Sequence, residues 1–165
     1  MIVFAPEVKI IEGQVVFLAG PIQGAEDWQG KAIDLISAKC PSLSIANPRG
    51  DYSNGGFDYD VQVDWETHYL GLASNTGGIL FWLAREVEHH CDRSYAQTTR
   101  FELGEWVTKY IFNRDVHLFI GIDPIFSGEK YLRKRIGQDC PEITIHSNLE
   151  DVCKGLVRLC GGIRK

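Results

Sequence analysis

A chain of 165 residues, 44% hydrophobic and 24% charged, is long enough to bury a substantial core and is read as a single domain spanning 1–165. Seventeen basic against twenty-two acidic residues leave a formal charge of −5, which argues against a nucleic-acid polymer as partner, because such binding rests on neutralising phosphates. Five scattered cysteines (Cys40, Cys91, Cys140, Cys153, Cys160) form no C-x-x-C pair and fit reduced thiols in a cytoplasmic setting. Glu7, Lys9 and Glu12 leave no signal peptide apparent, and no apolar run approaches the ~20 residues of a membrane span.

In chain order, Val8–Ile11 is a short apolar run expected to form an edge strand or an ordered lead-in. Gln14–Gly20 is apolar on both faces, as a strand inside a parallel sheet must be. Gly20-Pro21 ends it, and Asp27 is expected to cap a helix carrying Trp28, Ala32, Ile33 and Ile36, stopped by Cys40-Pro41. Leu43–Ala46 reads as the next strand, followed by Asn47-Pro48-Arg49-Gly50 and a surface loop to Tyr59. Asp60–Ala73 has helical spacing, with Val61, Trp65, Tyr69 and Leu72 on one side and Gln62, Glu66 and Leu70 on an adjacent stripe. Gly78–Leu83 is a buried strand, and Ala84–Ser94 a polar connection.

Beyond it, Phe101–Tyr110 is expected to be helical, Val116–Ile122 a strand and Glu129–Ile136 a short helix. Glu142–Ile145 is expected as the last strand, and Ser147-x-x-Glu150 as the cap of a final helix. Strands alternating with helices predict an α/β fold: one doubly wound parallel sheet of about five strands in flavodoxin-like order, with helices on both faces.

The stretch Tyr95–Trp106 follows the most apolar strand and opens a helix, which is where ligands sit in such sheets. A carboxylate at Glu102 would face that crevice. The competing reading is local: Thr99-x-x-Glu102 has the form of a capping box. His89, His90 and Cys91 suggest a metal at first sight, but neighbours on a loop point apart and no second cluster completes a ligand set, so no metal is expected. G-x-G-x-x-G, Walker and G-x-S-x-G motifs are absent, which removes dinucleotide, triphosphatase and serine-hydrolase readings. What remains is a set of carboxylates near the strand ends: Asp51, Asp58, Asp64, Glu66, Glu102 and Glu105.

The blocks Phe17-Leu18-Ala19-Gly20-Pro21-Ile22, Asn47-Pro48-Arg49, Gln62-Val63-Asp64-Trp65-Glu66, Ile79–Leu83 and Thr98–Trp106 resemble the nucleoside 2-deoxyribosyltransferase-like family. The resemblance runs from about Gln14 to the strand at Val116–Ile122 and weakens beyond Gly128. It implies a flavodoxin-like fold and cleavage or transfer at the N-glycosidic bond of a nucleoside or its 5′-monophosphate. Further implications are the absence of any cofactor and a homo-oligomer that completes its pocket from a neighbouring subunit, with Trp106, Tyr110 and Phe112 as contact candidates.

The family's nucleophile is a Glu in an E-x-G motif, which Glu102-Leu103-Gly104 matches. Its acid on the preceding helix falls at Glu66, with Asp64 as a second candidate. Retaining glycosidases use such a carboxyl pair ~5 Å apart. Gly20, Pro21, Asn47, Arg49 and Gln62 fall in the matching blocks as substrate contacts; Thr98 and Thr99 would hold a 5′-hydroxyl or 5′-phosphate, helped by Arg100. Trp65, Phe81 and Trp82 are either base-stacking aromatics or core. Two positions depart from the family. Phe17 stands where better-known members carry Tyr, and Tyr95, Gln97 and Thr98, with Asp92 further back, occupy the region of an acidic sugar-binding residue. Two other readings compete: a nucleoside 5′-monophosphate N-glycosidase that uses water, and a non-catalytic nucleotide-binding module.

Overall fold

The computed structural model describes residues 1–50, 56–90 and 92–162, with side chains to residue 159. Asp51 and Cys91, both weighed above, and the Cys160 side chain lie outside the described residues. Six strands, β1 (Ile2–Phe4), β2 (Val15–Ala19), β3 (Ser44–Asn47), β4 (Gly78–Leu83), β5 (Leu118–Ile122) and β6 (Ile145–His146), form one sheet ordered β1-β3-β2-β4-β5-β6. All five pairings are parallel. The run β3-β2-β4-β5-β6 is the flavodoxin-like order, with β1 added outside β3.

Helices α1 (Trp28–Ser37) and α5 (Leu149–Gly162) cover one face of the sheet; α2 (Tyr59–Thr76), α3 (Gln97–Phe112) and α4 (Glu129–Asp139) cover the other. Strands β2 and β4 are buried at every position, as their unbroken apolar runs require. Phe81 packs into the α2–α3–α4 layer and its neighbour Trp82 into the α1–α5 layer, because successive strand side chains point to opposite faces. Both aromatics are therefore core, not base-stacking surfaces.

Several elements differ from expectation. Val8–Ile11 forms no strand, and Ile10 is 93% exposed. The edge strand is instead β1, paired Ile2↔Ile45, Val3↔Ala46 and Phe4↔Asn47. Its stability comes from that ladder and the burial of Val3, not from a pattern of its own. Strand β6 has two residues, starting after Glu142–Thr144. Helix α3 begins four residues before Phe101, with Ala96 as its N-cap. Thr99 is thus the third helical residue, not a cap, and the capping box with Glu102 does not exist. At α5, Asn148 caps: its side-chain oxygen accepts from the Asp151 N–H at 2.8 Å, while the Ser147 hydroxyl accepts from Arg133. Asp27 caps α1 as expected, accepting from the Gly30 N–H at 3.0 Å. Among the described residues no helix is long and apolar enough to cross a membrane.

Candidate active site

A cavity of about 460 Å³ opens beyond the carboxyl ends of β2 and β3 and beside the N-terminus of α3. The strand order reverses between β2 and β4, and the segments that follow those two strands, residues 20–23 and 93–99, both contribute to the cavity wall. Its floor includes Phe17 and Gly20 of the β2 end; its walls are the Pro21–Gln23 and Pro48–Gly50 turns, one stripe of α2 and the first turns of α3.

The turns are built by specific bonds. The Trp28 indole N–H donates to the Pro21 carbonyl at 2.9 Å, and Asn47 accepts from the Arg49 N–H at 3.0 Å. Asn47 is buried and absent from the cavity wall, so it shapes the turn instead of meeting a ligand. Arg49 lines the cavity while its guanidinium donates to Gln29 Oε1 and to the carbonyls of Ile22 and Glu26. Its ion partner is Asp27 at 3.3 Å. Gly20 lines the cavity too, but a Cβ there would meet the Trp82 carbonyl at 2.3 Å and the Trp28 ring at 2.6 Å. Close packing at the strand end, not approach of a ligand, is what excludes a larger residue.

On α2, Gln62 and Glu66 are one turn apart and both face the cavity. The Gln62 amide donates to Glu66 Oε1 at 2.7 Å and to the Pro48 carbonyl at 3.1 Å. Trp65 points elsewhere: it is 2% exposed, packs against Phe17 and Tyr69, and donates to the Glu7 carbonyl at 2.6 Å. It is a core residue, not a cavity aromatic. Asp64 is exposed and outside the cavity, so Glu66 alone takes the acidic position on this helix.

On α3, Gln97, Thr98, Thr99 and Glu102 line the cavity. Ala96 sits in the left-handed region (φ 55°, ψ 32°), and no side chain caps the helix. The first turn of this helix borders the cavity, and a helix N-terminus is a place suited to negative charge. Arg100 is turned away, donating to the Ser127 carbonyl at 2.7 Å and stacking over Phe126 at 4.5 Å, so it takes no part in the cavity wall.

Burial, then the nearby charges of Glu66 and Glu105, push the Glu102 carboxyl up to about 8. Burial also raises Glu66, and the Gln62 N–H pulls it partly back. Both carboxyls line one cavity, and the charge on Glu66 disfavours ionisation of Glu102, so the proton is held more firmly on Glu102 while Glu66 is ionised.

Sequence reasoning missed Gln23, Phe57, Tyr59, Val63, Arg93, Ser94 and Ala96 in the cavity wall. The connection before α3 carries no motif that points to Arg93 and Ser94, and the first turn of α3 precedes the apolar helical spacing that begins at Phe101. In the polar connection, His89 pairs with Glu86 at 2.8 Å, and among the described residues no group of three or more His, Cys, Asp or Glu is placed to hold a metal ion. Comparison of the chain with protein-family models and with curated proteins found no match in either.

Proposed function

We propose that this chain cleaves the N-glycosidic bond of a nucleoside or its 5′-monophosphate and passes the sugar to an acceptor base, as its resemblance to the nucleoside 2-deoxyribosyltransferase-like family implies. The observation that carries the reading is the carboxyl pair. Glu102 and Glu66 come from different helices to line one cavity, where burial raises both carboxyls and the charge of Glu66 raises Glu102 further. Strongly shifted carboxyls in a cleft are the mark of acid–base and nucleophilic chemistry.

In the first half-reaction a Glu102 carboxylate oxygen bonds to the anomeric carbon. The C–N bond breaks with its electron pair going to the base nitrogen, which takes a proton from Glu66. In the second, the acceptor base attacks the anomeric carbon of the glycosyl ester, Glu102 leaves, and the acceptor's proton goes to Glu66. Two displacements retain configuration. That Thr98 and Thr99 line the cavity at the start of α3 supports a role for them in holding a 5′-hydroxyl or 5′-phosphate. We further propose a cytoplasmic homo-oligomer.

The test is incubation with a panel of nucleosides and 5′-monophosphates, with and without a free acceptor base, read by chromatography. New nucleoside formed only with acceptor supports transfer. Free sugar formed without acceptor assigns the hydrolase instead, and binding without turnover assigns a non-catalytic module.

A further inference from the structure

We propose that Gln62 is a positioning residue that decides where the proton of the carboxyl pair rests, holding Glu66 as the carboxylate and leaving the proton on Glu102 in the substrate-free protein. The catalytic consequence rests on the function proposed above; the proton's location does not.

The argument starts from the amide's orientation. A side-chain amide presents NH₂ on one side and an acceptor oxygen on the other, and the two ends look alike until a neighbour distinguishes them. The Pro48 carbonyl makes that distinction, because it can only accept, so the end of Gln62 facing it at 3.1 Å is the NH₂. The same nitrogen lies 2.7 Å from Glu66 Oε1. Gln62 therefore gives one N–H to a backbone oxygen and the other to Glu66, and the backbone turn after β3 locks this choice. Burial of Gln62 removes water that would otherwise compete.

A donated hydrogen bond stabilises the charged form of a carboxylate. Among the described residues no hydrogen bond to the Glu102 carboxyl matches it, and Glu102 also feels Glu105 one turn along α3. Among the described residues, the other charged groups at the cavity are Arg49, whose charge is matched by Asp27, and Arg93. Of two carboxyls competing for one proton, Glu66 is the better anion. The direction of the shifts agrees: burial raises both, and only Glu66 is drawn back, by Gln62.

For the proposed chemistry, this resting state is one proton transfer away from the reactive one. The Glu102 proton passes to Glu66, Glu102 becomes the attacking carboxylate, and Glu66 delivers the same proton to the departing base. No proton is gained or lost, so the singly protonated pair is the active form. Gln62 is then not a substrate contact through its NH₂, contrary to the sequence-based expectation, because both N–H groups are occupied.

Carboxyl-carbon NMR titration of glutamate-labelled, substrate-free protein tests this without reference to turnover. Wild type should show Glu66 titrating below Glu102. Gln62→Met keeps length and removes the donor; Gln62→Asn keeps polarity and withdraws it, which serves if the Met variant does not fold. Either variant should narrow the separation of the two midpoints to less than half the wild-type value. Glu66 titrating above Glu102 in wild type, or a separation that survives loss of the Gln62 donor, overturns the proposal. If the titration behaves as expected and no glycosidic substrate turns over, the proton assignment stands and the enzymatic reading fails.

Discussion

At the residue scale, Glu102 can be tested by the sign of its effect on stability. Its carboxyl holds a proton in the folded protein up to about 8, whereas the unfolded chain releases it near 4.5. Between those values the folded state binds more protons, so stability falls as pH rises through that window. Glu102→Gln removes the penalty and should stabilise the protein at pH 7, by of order 1–3 kcal/mol, with no gain at pH 4. A capping glutamate would behave oppositely, its loss costing about 0.5–2 kcal/mol. The same variant should lose glycosidic cleavage by several orders of magnitude if Glu102 is the nucleophile. Urea melts at the two pH values, with cleavage assays alongside, check both; a destabilised variant that still cleaves would sink the assignment. Ala96 is the second residue to probe. A non-glycine residue in the left-handed region carries ~1–2 kcal/mol of strain, part of which glycine returns in unfolded-state entropy. Ala96→Gly should therefore raise stability by about 0.5–1 kcal/mol; a drop in melting temperature would show that the Ala96 methyl group makes a packing contact worth more than the strain.

At the scale of elements, the α1 side of the cavity depends on a close approach between strand ends. Gly20→Ala places a Cβ 2.3 Å from the Trp82 carbonyl, which β4 cannot move without breaking its ladder. A loss of order 1–3 kcal/mol is expected in chemical denaturation, whereas Gly104→Ala, with open space at its Cβ, should cost nothing for packing reasons. The same geometry explains what could be read in advance. Strands β2 and β4 declare themselves because both faces are buried, and the α2 stripe Gln62–Glu66 because i and i+4 share a face. Trp65 misled because it neighbours Glu66 in sequence but points about 100° away from it around the helix, into the core against Phe17 and Tyr69. Arg100 misled for the same reason: Thr98 and Glu102 share a face, and residue 100 lies on the far side. Strand β1 was illegible because three residues with one buried side chain carry no period; only its partner β3 defines it.

For the whole molecule, the question is whether the folded chain is sufficient by itself. Of the three aromatics expected to meet a neighbour, Trp106 is buried in the core and Tyr110 is half-buried beneath Arg114. Phe112 remains outward at 86% exposure, and Phe101, eleven residues earlier, is outward at 76%. Eleven residues are three helical turns, so the two rings lie on one stripe of α3, with exposed Glu105 and Thr108 between them. Tyr59 and Val63 of α2 are exposed too, and both line the cavity. A second copy seated two-fold on this face would bring its own α3 close to the cavity mouth, and a stable pairing needs ~1,000 Å² or more of buried area. Light scattering at micromolar concentration should then give at least twice the 18.6 kDa of one chain. Phe112→Glu, far along the helix from the carboxyl pair, should return the mass to that of a monomer and leave unchanged the melting temperature extrapolated to low protein concentration, because the ring has little intrachain packing to lose. Activity separates the two kinds of oligomer: if the neighbour completes the cavity, the monomeric variant loses turnover as it loses mass. A wild-type chain that scatters as a monomer would remove this face from the account and leave each cavity to work alone.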